Sequence, residues 1–119
     1  MTAFELADLL AAQAQSSNRY LEFLRIPALS MGLYVLPAGG TDLQQPHTED
    51  EVYYVVRGRA LIQVAGVDRP VHAGSIVTVE AGVEHRFHSI AEELAVLVFF
   101  APAEYTRQPS AAQVGPDGM

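Results

Sequence analysis

The chain has no cysteine and no lysine, and it has no apolar run near the roughly 20 residues that span a bilayer. Lack of cysteine excludes thiolate zinc sites, iron–sulfur clusters and cysteine nucleophiles, and it leaves the fold indifferent to redox compartment. All seven positive residues are arginines, set against fourteen acidic ones for a formal charge of −7. That balance argues against nucleic acid and anionic membranes as partners. No phosphate loop or dinucleotide fingerprint occurs, and the N-terminus lacks the basic start of a signal peptide. The expectation is a soluble, cytoplasmic protein. What is present is apolar: half of the 119 residues are hydrophobic, enough for a single domain with one real core and too many for a disordered body.

Thr2-Ala3-Phe4-Glu5 reads as a capping box, and Phe4, Leu6, Leu9 and Leu10 continue as a helical apolar stripe to about Gln15. From Arg19 the period changes to two. Candidate strands cover 20–25, 30–36, 51–57, 60–64, 67–71, 75–79, 84–89 and 94–100. Gly and Pro punctuate them, as in Arg57-Gly58-Arg59 and Ala81-Gly82. Many short strands with regular turn signals predict an all-β antiparallel sandwich or small barrel, with no solenoid repeat. The expected division is a helix over 1–18 packed on a barrel over 19–101, then a flexible tail over 102–119. In Glu51–Val56 and Leu94–Phe100 both strand faces are apolar, so both must be covered. One short helix is too little cover for two such strands, which predicts a homodimer.

Chemistry concentrates in Gln45, His47, Glu51 and His85. Residues two apart on a strand share a face, so Gln45 and His47 project together, and Glu51 returns to that face if the intervening backbone stays extended or turns once. Two imidazoles and a carboxylate on a β scaffold make a divalent metal site of the two-His-one-carboxylate kind. Glu49 is a stand-in by parity. By the same parity His88 faces away from His85, and His72 sits at a turn.

These residues resemble the cupin superfamily, whose first motif is G-x5-H-x-H-x3,4-E-x6-G. Gly39, Gln45, His47, Glu51 and Gly58 match its spacing, with Gln45 in place of the first histidine. Gly74, Gly82 and His85 match the second motif, G-x5-P-x-G-x2-H-x3-N, with Glu80 and Ser89 replacing its proline and asparagine. The resemblance covers 20–101. It implies an antiparallel double-stranded β-helix, the jelly-roll or RmlC-like barrel, and metal ligation by Gln45, His47, Glu51 and His85. Cupin-type phosphomannose isomerases are similar in using a Gln-His-Glu-His set. Gln45 is then either a fourth ligand or a partner of metal-bound water or substrate.

One divalent ion per subunit is expected, Fe, Mn, Ni or Zn, with positions left open for a small-molecule ligand or substrate. Strand parity turns Tyr53, Val55 and Phe87 into the pocket, and Tyr34, Met31 and Phe23 are further candidates. Tyr53 is the candidate catalytic side chain, since a phenol beside a metal can donate a proton or a hydrogen bond. No arginine is expected to point inward, which disfavours phosphorylated substrates. Two functions follow: a small metal-dependent enzyme, dioxygenase-like or isomerase- and lyase-like, or a non-catalytic module that senses or binds a small ligand.

Overall fold

The computed structural model describes residues 1–43 and 46–107. Among them are one helix, α1 (Leu6–Gln15), and six strands: β1 (Tyr20–Ile26), β2 (Leu29–Leu36), β3 (Asp50–Val64), β4 (Val67–His72), β5 (Ile76–Val79) and β6 (His85–Ala101). All pairings are antiparallel, in the order β1-β2-β6-β3-β4, and β5 pairs with Glu51–Tyr54 of β3.

Where the sequence predicted eight short strands, two of the six are long and pair with each other along most of their length. β3 pairs through 50–57 with 95–101 of β6, and through 59–64 with 85–92. The Arg57-Gly58-Arg59 segment, read as a turn, is a bend within β3, and the ladder slips on either side of it. Gly58 has φ +99°, and a Cβ there would lie 2.2 Å from the carbonyl oxygen of Glu93. Glycine alone lets β3 fold so closely over β6 without strain. On either side of the bend β3 has different outer partners, β5 on Glu51–Tyr54 and β4 on Arg59–Val64, within one continuous jelly-roll sheet.

Alternation along the strands puts Tyr34, Leu36, Tyr53, Val55, Phe87, Val96, Val98 and Phe100 inside. Each large side chain buried this way contributes about 1.5–3 kcal/mol relative to exposure. The other face of β2 and β6 presents Leu33, Val35 and Ala95, which pack with Leu9 and Leu10 of α1, Val56 and Leu97. Phe23 and Met31, candidates for the pocket, instead lie outside the barrel. With Phe4, Leu6, Leu9, Leu24 and Leu97 they line an outer groove of about 270 Å³.

The expected capping box does not form, because the helix begins at Leu6 with Glu5 at its cap and no side-chain cap bond. Phe4 packs edge-on against Phe23, ring centroids 5.1 Å apart, and this apolar contact sets how the helix meets the sheet. Residues 102–107, assigned from sequence to a flexible tail, turn back on the barrel with Ala103 and Glu104 buried. Residues 108–119 lie outside the described residues. No helix among the described residues is long and apolar enough to cross a membrane.

Candidate metal centre

Three elements deliver the site. His47 lies in the loop before β3, three residues from its start, Glu51 is the second residue of β3, and His85 is the first residue of β6. Pairing of Glu51 with both Val79 and Phe100 fixes its backbone between two strands. The amide of Gly82 donates to the carbonyl of His47 at 2.6 Å, tying the loop before β6 to the loop before β3. Upstream, Asp42 is buried and accepts from the Tyr34 hydroxyl at 2.5 Å and from the Phe87 amide at 2.8 Å. Asp42 was invisible to sequence reasoning, yet it pins the middle of the loop that carries His47 to β2 and β6.

One ligand-capable atom from each of His47, Glu51 and His85 falls within 4.8 Å of the other two, and all three residues are buried. His85 Nε2 lies 2.9 Å from Glu51 Oε1, and His47 Nδ1 lies 3.9 Å from the same oxygen. Gln45 lies outside the described residues. The Val83 carbonyl, which can only accept, sits 2.8 Å from His85 Nδ1 and therefore takes its proton. Nε2 is the nitrogen left facing Glu51, with the Tyr53 hydroxyl 3.1 Å away. Burial opposes charge on His85, but the adjacent Glu51 carboxylate outweighs it and raises the imidazole pKa.

Among the described residues, four buried side-chain atoms lack a hydrogen-bond partner: His47 Nδ1, both Glu51 oxygens and the Tyr20 hydroxyl. The short His85–Glu51 contact is thus a charge contact without hydrogen-bond alignment. A buried, unsatisfied carboxylate is costly, on the order of 1–3 kcal/mol or more. A divalent cation offers Glu51 and His47 Nδ1 what the described residues do not, so the donor set fits a metal.

His47 is held on its other side by a residue the sequence reading missed. Glu104 Oε2 lies 2.9 Å from His47 Nε2, and burial pushes the Glu104 carboxyl above the usual carboxylate range, partly offset by His47. The His47 ring packs on Phe100 (centroids 4.7 Å) and stacks on Tyr105 (5.9 Å, 25°). Glu49, the alternative ligand, is buried but faces the C-terminal turn. It accepts from the amides of Tyr105 (2.7 Å) and Arg107 (2.9 Å) and from the Thr48 hydroxyl. The one sequence signal was Ala103 and Tyr105, two non-polar residues flanking a lone acid in an otherwise polar stretch.

Tyr34, Tyr53, Val55 and Phe87 all face the interior, and Tyr53 packs edge-on against Phe87. None of the seven arginines is buried. His88 points outward to Asp68 at 2.8 Å, and His72 is exposed at the end of β4.

Comparison with known proteins adds the family. A model described as "Cupin domain" matches residues 32–101. An uncharacterized protein of Streptomyces coelicolor is 53% identical over 104 residues, which cover 87% of this chain and 99% of that one. Two solved structures share the fold at low identity. A Thermus thermophilus protein superposes with TM-score 0.70 at 22% identity, covering 87% of this chain and 99% of its own. An RmlC-like cupin from Shewanella frigidimarina gives 0.63 at 21%, covering 75% and 77%.

Proposed function

The chain belongs to the cupin family, and on that premise we propose that it holds one divalent metal ion and uses it on a small organic molecule. His47, Glu51 and His85 are the ligands, with Gln45 as a fourth. The observation that carries the reading is the set of buried atoms without a partner among the described residues, His47 Nδ1 and both oxygens of Glu51, gathered beside His85 Nε2. The ion is Fe, Mn, Ni or Zn, suited to a mixed nitrogen and oxygen set. Bound there, it supplies Lewis-acid polarisation of a substrate oxygen or, if redox-active, dioxygenase chemistry.

The protein's own residues set the rest. Tyr53, beside His85 Nε2, is placed to hydrogen-bond a ligand oxygen. Phe87, Phe100 and Val98 wall the interior and exclude water. With Glu51 and Glu104 buried and every arginine outside, the site selects a neutral or monoanionic molecule rather than a phosphate. The reaction is then of the dioxygenase or the isomerase and lyase type. On the outside, Phe4, Leu6, Tyr54 and Ile76 remain exposed, which favours a homodimer; light scattering on the purified protein tests that.

The primary test is elemental mass spectrometry of untagged protein purified without chelator, beside His47→Ala. Near-stoichiometric metal that disappears in the variant is expected. Protein that is metal-free and cannot be reloaded refutes the reading, and metal binding without turnover of any screened substrate leaves a ligand-binding module.

A further inference from the structure

We propose that Glu104 is a positioning residue of the metal site, delivered by the C-terminal turn to hold the Nε2 proton of His47 and leave Nδ1 as the ligand nitrogen. The inference rests on the metal reading above. An imidazole offers two nitrogens, and only the one that faces Glu51 and His85 is useful to a shared ion. In this chain that nitrogen is Nδ1, which has no hydrogen-bond partner among the described residues, while Nε2 meets Glu104 Oε2 at 2.9 Å. A carboxylate accepts and does not donate, so the proton is fixed on Nε2 and the lone pair on Nδ1. The same negative charge makes the imidazole a stronger donor to a cation.

The turn is built to put Glu104 there. Its amide donates to Ser30 Oγ of β2 at 2.8 Å, and its carbonyl accepts from Arg25 Nη2 of β1 at 2.6 Å. One residue on, the Tyr105 amide is held by Glu49, which lies two residues from His47 in the loop before β3. The turn is therefore fixed from the β1–β2 hairpin and from the loop before β3 at once, and His47 is confined between Phe100 and Tyr105. A carboxylate that only filled space would need neither the double anchoring nor the aim at a ring nitrogen.

The test uses the full chain, stripped of metal, with Glu104→Ala and Glu104→Gln. Affinities for Zn²⁺ and Mn²⁺ are measured by competition with a fluorescent chelator, and folding is checked by circular dichroism. Loss of the hydrogen-bonded carboxylate should weaken metal binding about 10–100-fold in Glu104→Ala. Glu104→Gln should fall between, because its amide oxygen still accepts from Nε2–H but carries no charge. Long-range ¹⁵N correlation spectra of metal-free wild type supply a readout that a purely structural role does not move. His47 should carry its proton on Nε2, and this preference should be lost in Glu104→Ala. Affinity within twofold of wild type in a folded variant, or a wild-type His47 protonated on Nδ1, overturns the inference while leaving the metal reading intact. Wild type that binds neither ion overturns both.

Discussion

Replacing Glu49 by Gln should cost about 2 kcal/mol and release the C-terminal turn without unfolding the barrel. Glu49 is almost fully buried, and its two oxygens divide the work: Oε1 accepts from the Tyr105 amide, Oε2 from the Arg107 amide and the Thr48 hydroxyl. A glutamine has one acceptor oxygen and one NH₂, so in either orientation one backbone N–H of the turn faces a donor. The cheaper orientation keeps the oxygen on half-buried Tyr105 and leaves exposed Arg107 to water. What is lost is then one charge-assisted hydrogen bond, worth about 1.5–3 kcal/mol, with little orphan penalty. Glu49→Ala loses both bonds and should cost about 4 kcal/mol, unless the turn detaches first and caps the loss. Urea unfolding followed by far-UV circular dichroism gives the global figure. Amide hydrogen exchange at Glu104, Tyr105 and Arg107 reports the turn alone, where protection should fall well before that of β3 and β6. Glu49→Gln within 0.5 kcal/mol of wild type, a margin at the level of ordinary surface substitutions, with unchanged exchange at these three amides, would refute the reasoning.

Two further outcomes follow from backbone and burial. Gly58→Ala and Gly66→Ala both force a side chain into positive φ (+99° and +81°), but only the Gly58 Cβ meets backbone, the Glu93 carbonyl at 2.2 Å. Gly66→Ala should cost about 1–2 kcal/mol for the left-handed backbone, and Gly58→Ala about 1–3 kcal/mol more for the overlap; equal losses in urea melts would show that the β3 bend does not demand glycine. Tyr20 carries a buried hydroxyl without a partner among the described residues, and burial, with the charges of Glu104, Glu22 and Glu51, raises its pKa far above the ordinary 10.0. The unfolded chain loses that proton near pH 10 and the folded one keeps it. Stability is thus complete below pH 10 and falls above it, by up to about 1.4 kcal/mol per pH unit. Tyr20→Phe should lose that share of the alkaline slope while keeping neutral-pH stability, and parallel curves for the two proteins would contradict the assignment.

Much of the barrel was legible because alternation reports burial directly. Tyr53, Val55 and Phe87 follow from a period of two once one inward residue is known, and they lie inside; Tyr34, which parity left without an orientation, lies inside with them. Strand ends were less legible. Arg57-Gly58-Arg59 carries the composition of a turn, and only the approach of Glu93 from β6 shows it to be a bend within a continuous strand. Glycine at positive φ serves both, so the local signal is the same and a non-local contact decides. The capping box failed for a related reason. Thr2 and Glu5 have the right spacing, but the contact of Phe4 with Phe23 selects a different start for the helix.

The site divides along the same line. His47, Glu51 and His85 were found because strand geometry and motif spacing both encode them. Glu104 was not, because it reaches His47 across 57 positions of sequence through a turn with no periodicity to read. Glu49 shows the converse: parity placed it among the candidate ligands, yet its carboxylate is taken up by two backbone amides of that turn. The two acids therefore act as a pair. Glu49 commits the turn to the barrel, and the committed turn presents Glu104 to the back of His47. Periodicity reveals which side chains share a face, but the assignment of a buried acid to an ion, a ring nitrogen or a backbone amide depends on what arrives from elsewhere in the chain. In this protein the arriving element is the C-terminal turn, so metal affinity and the anchoring of that turn should rise and fall together across substitutions at Glu49, Ser30 and Arg25.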